Sequence, residues 1–443
     1  MDCPWCLGKV QLSLLMKKVI IIGSGIAGLN AASILSSRNY QVTLLEASPK
    51  FGGKTYSFKN SETDEIIDNG QHILMGCYDH TIRFLKLIGA EDKFVHQKNL
   101  YVKFLTNEKK EYSIDASKFP YPINLLKAIF NYSALDFYDK IRFLALLIKL
   151  PFISEKSLEN LNVKEWLERE NQTPTIIKSF WEILCIGALN TTLEKASAKL
   201  FHKILLQMFF SGNFASTIIL PKYGLSESII NPALSFIKNN RASVISSEQV
   251  KEIVIEENKV IRIMTDKNIY EDFDFLILAI PEYSLQKINC NCLISPEINF
   301  TYSTILNIHI WLKENPVKEK FFGLIDSPLH WIFNKDSHLN IVISNANQYS
   351  KMDNVEILKM VMDELEKFTE IKISDLSLYK IIREKRATFI PDKSVLDKRP
   401  ENKTNVKNLF LAGDWTNTDL PATIESATKS GETAANLILS NLN

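Results

Sequence analysis

Gly23, Gly25 and Gly28 stand in the order Gly23-Ser24-Gly25-Ile26-Ala27-Gly28, and Glu46 follows 18 residues after the last of them, a spacing that can hold a dinucleotide. Gly23 permits a sharp turn, Gly25 lets a pyrophosphate approach the main chain, and Gly28 lets a helix pack closely on a strand. Ser24, Ile26 and Ala27 carry the intervening amides, where a helix N-terminus offers partial positive charge to phosphate. A carboxylate at Glu46 can accept from both ribose hydroxyls, which favours a free 2′-hydroxyl over a 2′-phosphate.

At the other end of the chain, Leu409-Phe410-Leu411-Ala412 leads into Gly413-Asp414-Trp415-Thr416, and Leu420-Pro421 into a helix opening at Ala422-Thr423-Ile424. Asp414 is placed to bond a phosphate-bridging water or a ribityl chain, and the amides of Thr423 and Ile424 can stabilise negative charge at the N1/O2 edge of a reduced flavin. The two ends are best explained as parts of one FAD site. No cysteine lies between Leu420 and Ala427, so the cofactor is expected to be non-covalent. No second glycine motif of this kind follows, so electrons are expected to come from, or leave to, a separate partner.

The elements that must position these residues are legible in outline. Val19-Ile20-Ile21-Ile22 reads as a buried strand, the stretch to about Ser37 as a helix, and Gln41 to Leu45 as a second strand. From 84 to 214 the pattern is mostly helical, a candidate cap. Ser216 to Leu220 is a strand, Val250 to Glu256 and Val260 to Thr265 a hairpin, and Phe275 to Ala279 a buried strand. Thr304 to Trp311 alternates, with Leu306, Ile308 and Ile310 on one face and Asn307, His309 and Trp311 on the other, as in a half-buried antiparallel strand. Asn354 to Phe368 is an amphipathic helix and Leu376 to Arg386 a further strand. The fold class is therefore α/β: a discontinuous Rossmann-like FAD-binding domain with an inserted α+β substrate domain and a helical cap. Its expected segments are an extension at 1–16, FAD-binding parts at 17–83, 215–283 and 381–443, a helical region at 84–214, and a substrate sheet and helix at 284–380.

Composition narrows the partners. Fifty-two basic residues against 51 acidic ones leave a formal charge of +1 with no basic block, which argues against nucleic acid. No uncharged run approaches the roughly 20 residues needed to cross a bilayer. The cysteines show no disulfide framework, which favours a reducing, cytoplasmic compartment; Cys3-Pro4-Trp5-Cys6 looks like a redox or half-zinc motif but lies on a tail without the strand and helix that would support it, and Cys290 and Cys292 fall in an expected loop. The first fifteen residues lack a signal-peptide pattern and, with Met16-Lys17-Lys18 just before the first strand, read as an upstream extension. Phe119 to Phe152 mixes Leu, Ile, Phe and Tyr with Lys127, Lys140, Arg142 and Lys149, which suits either a cap core with solvated lysines or a peripheral dock on the inner face of the cytoplasmic membrane.

With both ends in view, the chain resembles the FAD-dependent amine oxidase and carotenoid desaturase superfamily from residue 17 to 440. Within it, Asp68-Asn69-Gly70-Gln71-His72-Ile73-Leu74-Met75-Gly76, Leu220-Pro221-Lys222-Tyr223-Gly224-Leu225-Ser226-Glu227, Arg383-Glu384-Lys385-Arg386-Ala387-Thr388-Phe389 and Leu420-Pro421-Ala422-Thr423-Ile424-Glu425 resemble the hydroxysqualene dehydroxylase family. The resemblance implies a bacterial enzyme of hopanoid precursor synthesis that uses reduced FAD to replace the hydroxyl of an apolar isoprenoid, hydroxysqualene, giving squalene. It puts Gly23, Gly25 and Gly28 on the pyrophosphate, Glu46 on the adenosine ribose, the Val250 backbone on adenine, and Asp414 on the flavin tail. Gly52-Gly53-Lys54 departs from the Gly-Gly-Arg of many relatives, keeping the charge and losing a bidentate fork. His72, in a motif expected near the flavin, is the candidate for proton transfer, against a structural role bonded to backbone. His309 and Trp311 either line the substrate cavity or are ordinary packing. A carotenoid-type desaturase or isomerase is the nearest alternative, followed by an amine oxidase and a non-enzymatic prenyl carrier.

Overall fold

The computed structural model describes residues 16–290 and 299–440, so the Cys3-Pro4-Trp5-Cys6 segment and Cys292 lie outside the described residues. Its centre is a five-stranded parallel sheet in the order Ser243–Ile245, Gln41–Leu45, Lys18–Ile22, Phe275–Leu278, Leu409–Leu411. These strands are short Ile, Leu and Val runs because both faces are covered. Ile21 faces the helices Ile26–Ser37 and Ile424–Ser440, whereas Ile20 and Ile22 face the hairpin Val250–Glu256/Lys259–Thr265. The two helices come so close that a Cβ on Gly431 would lie 2.2 Å from the Ala27 carbonyl oxygen. The chain thus leaves this sheet and returns to it three times, and its last strand places the C-terminal motif next to the N-terminal one.

A seven-stranded mixed sheet forms the second body, ordered Leu376–Phe389, Tyr302–Leu312, Leu339–Ile343, Trp331–Asn334, Phe321–Leu324, Tyr101–Leu105, Glu111–Asp115. Helix Asn354–Phe368, with the capping box Asp353/Glu356, covers one face and buries Leu306, Ile308 and Ile310. Helices between Ile123 and Phe210 build a third layer around Trp166, Trp181 and Phe201. Four details add to or correct these expectations. The region 84–214 is mostly helical, and it also holds a hairpin at Tyr101–Asp115 that joins the seven-stranded sheet through a pairing with Phe321–Leu324, a contact too distant in sequence for periodicity to report. The strand read at Ser216 begins at Ile218, after a 3-10 turn, and Cys290 ends a short strand. Tyr302–Leu312 is not half-buried: Asn307, His309 and Trp311 are as buried as the aliphatic face.

Candidate active site

The turn after Lys18–Ile22 runs into helix Ile26–Ser37, whose N-terminus has no side-chain cap and no acid in its first turn. Gly52 donates its amide to Ser24 O at 3.0 Å, and a Cβ on Gly53 would sit 3.1 Å from Gly25 Cα, so the second glycine pair is stacked on the first. A Cβ on Gly25 itself would meet nothing within 4 Å among the described residues. Glu46 closes the turn: one carboxylate oxygen accepts from Ser24 N at 2.9 Å and Ser24 Oγ at 2.6 Å, the other from Ser48 N at 2.8 Å. The Glu248 amide donates to the Glu46 carbonyl at 2.9 Å, which brings Val250, two residues on, to the same end.

Across the turn the N-terminal and C-terminal motifs meet. Lys54 Nζ donates to Asp414 Oδ2 at 2.9 Å and to the Ala387 carbonyl at 3.2 Å. Burial works against the Lys54 ammonium, but the Asp414 carboxylate outweighs it and holds the pKa above the ordinary lysine value. Arg399, which sequence reasoning missed, organises the loop behind Asp414. It donates to the carbonyls of Leu420 and Asp414 at 2.7 and 2.9 Å and to Thr418 Oγ1 at 2.9 Å, and burial brings its pKa down to about 10. Thr423 Oγ1 accepts from Ser426 N at 3.2 Å, and the helix opens at Ile424. Glu425 faces away, accepting from His80 N and Thr81 N at 2.9 and 2.8 Å, so it caps helix Asp79–Leu87.

The Asp68–His72 loop lies between the two sheets. Asp68 accepts from Ser57 Oγ at 2.7 Å and from Leu225 N at 2.8 Å, and Asn69 Nδ2 donates to Lys54 O at 2.9 Å, which ties the loop to the Gly-Gly-Lys turn. From the other side Asn307 Oδ1 accepts from Gln71 N at 3.1 Å. His72 is partly covered here, and burial lowers its pKa, with Asp68 and the Lys54 backbone pulling the other way. Beneath the loop, His309 Nδ1 and His338 Nε2 share a hydrogen bond of 3.0 Å, and Glu65 Oε2 lies 3.8 Å from His338 Nδ1 and accepts from Trp311 Nε1 at 2.7 Å. Burial lowers the pKa to about 3 for His309 and about 4 for His338, so both are neutral at pH 7. The sequence showed that Asn307, His309 and Trp311 share a face. That Glu65 and His338 would complete a polar strip there had no local signal.

The donor set fits a flavin dinucleotide. An open space over Gly25, an uncapped helix start and a carboxylate at the end of the second strand suit pyrophosphate and ribose, and the Lys54–Asp414 pair adds a cation and a carboxylate beside the stacked Gly52-Gly53 turn. The model of flavin containing amine oxidoreductases matches residues 26–439. The chain belongs to that family. As a member it is an FAD-dependent oxidoreductase. It is 28% identical to the hydroxysqualene dehydroxylase of Zymomonas mobilis over 95% of this chain and 99% of the relative, and 27% identical to that of Sinorhizobium fredii over 96% and 99%. The resemblance read from the motifs therefore extends over 95–96% of the chain. A 15-cis-phytoene desaturase of an Oncidium hybrid is 23% identical over 95% of this chain and 78% of the relative. Among solved structures, an oxidoreductase from Methanosarcina mazei superposes with a TM-score of 0.71 at 18% identity, covering 95% of this chain and all of the other, which shows the shared fold. No helix among the described residues is long and apolar enough to cross a membrane.

Proposed function

We propose that this flavoenzyme reductively removes the hydroxyl of hydroxysqualene to give squalene, with Gly23, Ser24, Gly25, Ile26, Ala27, Gly28, Glu46, Gly53, Lys54, Val250, Gly413, Asp414, Thr423 and Ile424 holding FAD. The observation that carries this reading is the full-length likeness to hydroxysqualene dehydroxylases, set on a site where a buried imidazole strip adjoins the nucleotide turn. When bound and reduced, FAD supplies a hydride; the allylic C–O bond breaks, a C–H bond forms, and water leaves once a proton has reached the hydroxyl oxygen. The chain's share is that proton, a dry channel and orientation. His72 is held by the loop that Asp68, Asn69 and Asn307 brace, and its lowered pKa makes its protonated form a stronger acid than an ordinary imidazolium. Asn307 is a positioning residue, because it acts on His72 through Gln71.

An apolar isoprenoid resides in lipid, so the reading includes a peripheral contact with the inner face of the cytoplasmic membrane, and a separate redox partner to reduce the flavin. A second reading, carotenoid-type desaturation, draws on the likeness to the phytoene desaturase. Product analysis decides between them: hydroxysqualene converted to squalene by reduced enzyme supports the dehydroxylase, whereas a polyene formed from phytoene by oxidised enzyme supports the desaturase.

A further inference from the structure

Nine of the eighteen large apolar side chains left exposed on the described residues fall between Phe119 and Phe152. They form a face. Helix Ile123–Asn131 buries Leu125, Ala128 and Ile129 and turns Ile123 and Phe130 outward; helix Phe137–Lys149 buries Phe143, Leu146 and Leu147 and turns Phe137, Tyr138 and Ile141 outward. Edge-to-face contacts of Phe130 with Phe137 at 6.4 Å and of Phe137 with Tyr138 at 5.9 Å join the two outer stripes. Tyr138 is 70% exposed, and Phe152, just past the second helix, is 85% exposed. Each helix thus has two apolar stripes, one in the core and one in water, whereas a surface helix that meets only solvent needs one.

The charges around this face are one-sided. Residues 118–152 carry five cations and two carboxylates, although the whole chain has a formal charge of only +1. Two of the five cations are paired, Arg142 with the buried Asp139 at 3.6 Å and Lys149 with Glu170 at 3.0 Å, and Asp136 caps its helix, which leaves Lys118, Lys127 and Lys140 without an ion pair among the described residues. Lys127 and Lys140 hold their ammonium groups 5.4 and 5.8 Å from the centre of the Phe130 ring, at the edge of the apolar patch. Aromatic rings flanked by lysines that can extend upward match the boundary between acyl chains and anionic headgroups.

We propose that this two-helix face seats the enzyme on an anionic lipid bilayer, with Phe137, Tyr138, Ile141 and Phe152 in the headgroup–acyl boundary and Lys127 and Lys140 on lipid phosphates. The inner stripes of the same helices belong to the core that packs against Phe104 and Trp331 of the substrate sheet, so one helical layer separates the bilayer from that sheet. The purpose of the contact rests on the isoprenoid reading above; its existence does not.

The test is sedimentation of the FAD-loaded protein with sucrose-filled vesicles of phosphatidylcholine alone or with phosphatidylglycerol added. Binding at least about tenfold tighter to the anionic vesicles is expected. The triple variant Phe137→Ser, Tyr138→Ser, Ile141→Ser should lose about tenfold or more in affinity, and Lys127→Glu with Lys140→Glu should abolish the preference for anionic lipid, both with wild-type flavin absorbance and melting temperature. Wild-type protein left in the supernatant with anionic vesicles, or variants that bind as wild type does, would overturn the proposal. So would a wild-type dimer that the triple variant dissolves, because a second copy would then cover the face. Turnover of detergent-dispersed hydroxysqualene separates the two readings: retained turnover without vesicle binding sinks only the membrane contact, and vesicle binding without turnover sinks only the reaction.

Discussion

Lys54 and Asp414 are 360 residues apart in sequence and 2.9 Å apart in the fold, so the pair reports directly on whether the two ends make one site. Replacing Lys54 by Met leaves a partly buried carboxylate without its cation, and FAD binding should weaken about tenfold or more in a flavin fluorescence titration. Lys54→Arg should recover most of that loss. The neutral histidines make a separate prediction about pH. His309 and His338 have folded pKa values of about 3 and about 4, below those of the unfolded chain, so the unfolded state takes up protons first as pH falls. Their effect is absent above the unfolded histidine pKa of about 6.5 and grows below it, at up to about 1.4 kcal/mol per pH unit for each ring. Urea midpoints should therefore drop between pH 7.5 and pH 5, and the His309→Gln, His338→Gln double variant should show a shallower drop. An unchanged slope would mean that these rings are not held neutral. For catalysis, His72→Ala should reduce the single-turnover rate at least tenfold below neutral pH while leaving FAD affinity intact. Full activity across pH would leave His72 with only a structural role.

At the scale of elements, two glycines separate cofactor space from packing space. Gly25 has open space where a side chain would stand, so Gly25→Ala should melt like the wild-type apoprotein yet bind FAD at least tenfold more weakly, because the methyl group takes the place of pyrophosphate. Gly431 has the Ala27 carbonyl 2.2 Å from its missing Cβ, so Gly431→Ala should lower stability by about 2 kcal/mol or more by forcing the two helices apart. Calorimetry and FAD titration on both variants check the contrast. The strand, turn and helix from Lys18 to Leu45 were legible because each is local: a buried Ile run, a glycine turn and an apolar helix are contiguous in sequence. The hairpin at Tyr101–Asp115 was not legible, because its place is fixed by a parallel pairing with a strand two hundred residues on. The two-sided burial of Tyr302–Leu312 was missed for a related reason. Alternation correctly sorted its faces, but what covers the polar face, namely Gln71, Glu65 and His338, comes from elements read separately.

For the whole molecule, the five-stranded sheet collects its strands from both ends and the middle of the chain, the seven-stranded sheet presents a buried polar strip to the loop at 68–72, and the helical layer packs against that sheet. Arg399 belongs to this scale too: its contacts reach residues 414, 418 and 420, and nothing adjacent in sequence marked it as the residue that shapes the Asp414 loop. Under the proposed function, this arrangement serves the passage of a hydride to a carbon that loses its hydroxyl. That reading is tested most directly by an anaerobic single turnover in which FAD-loaded protein, chemically reduced, is mixed with hydroxysqualene while flavin absorbance is followed and the product extracted. Reoxidation of the flavin with one squalene formed per FAD is expected; a flavin that stays reduced and bound, with hydroxysqualene recovered unchanged, would overturn the dehydroxylase reading.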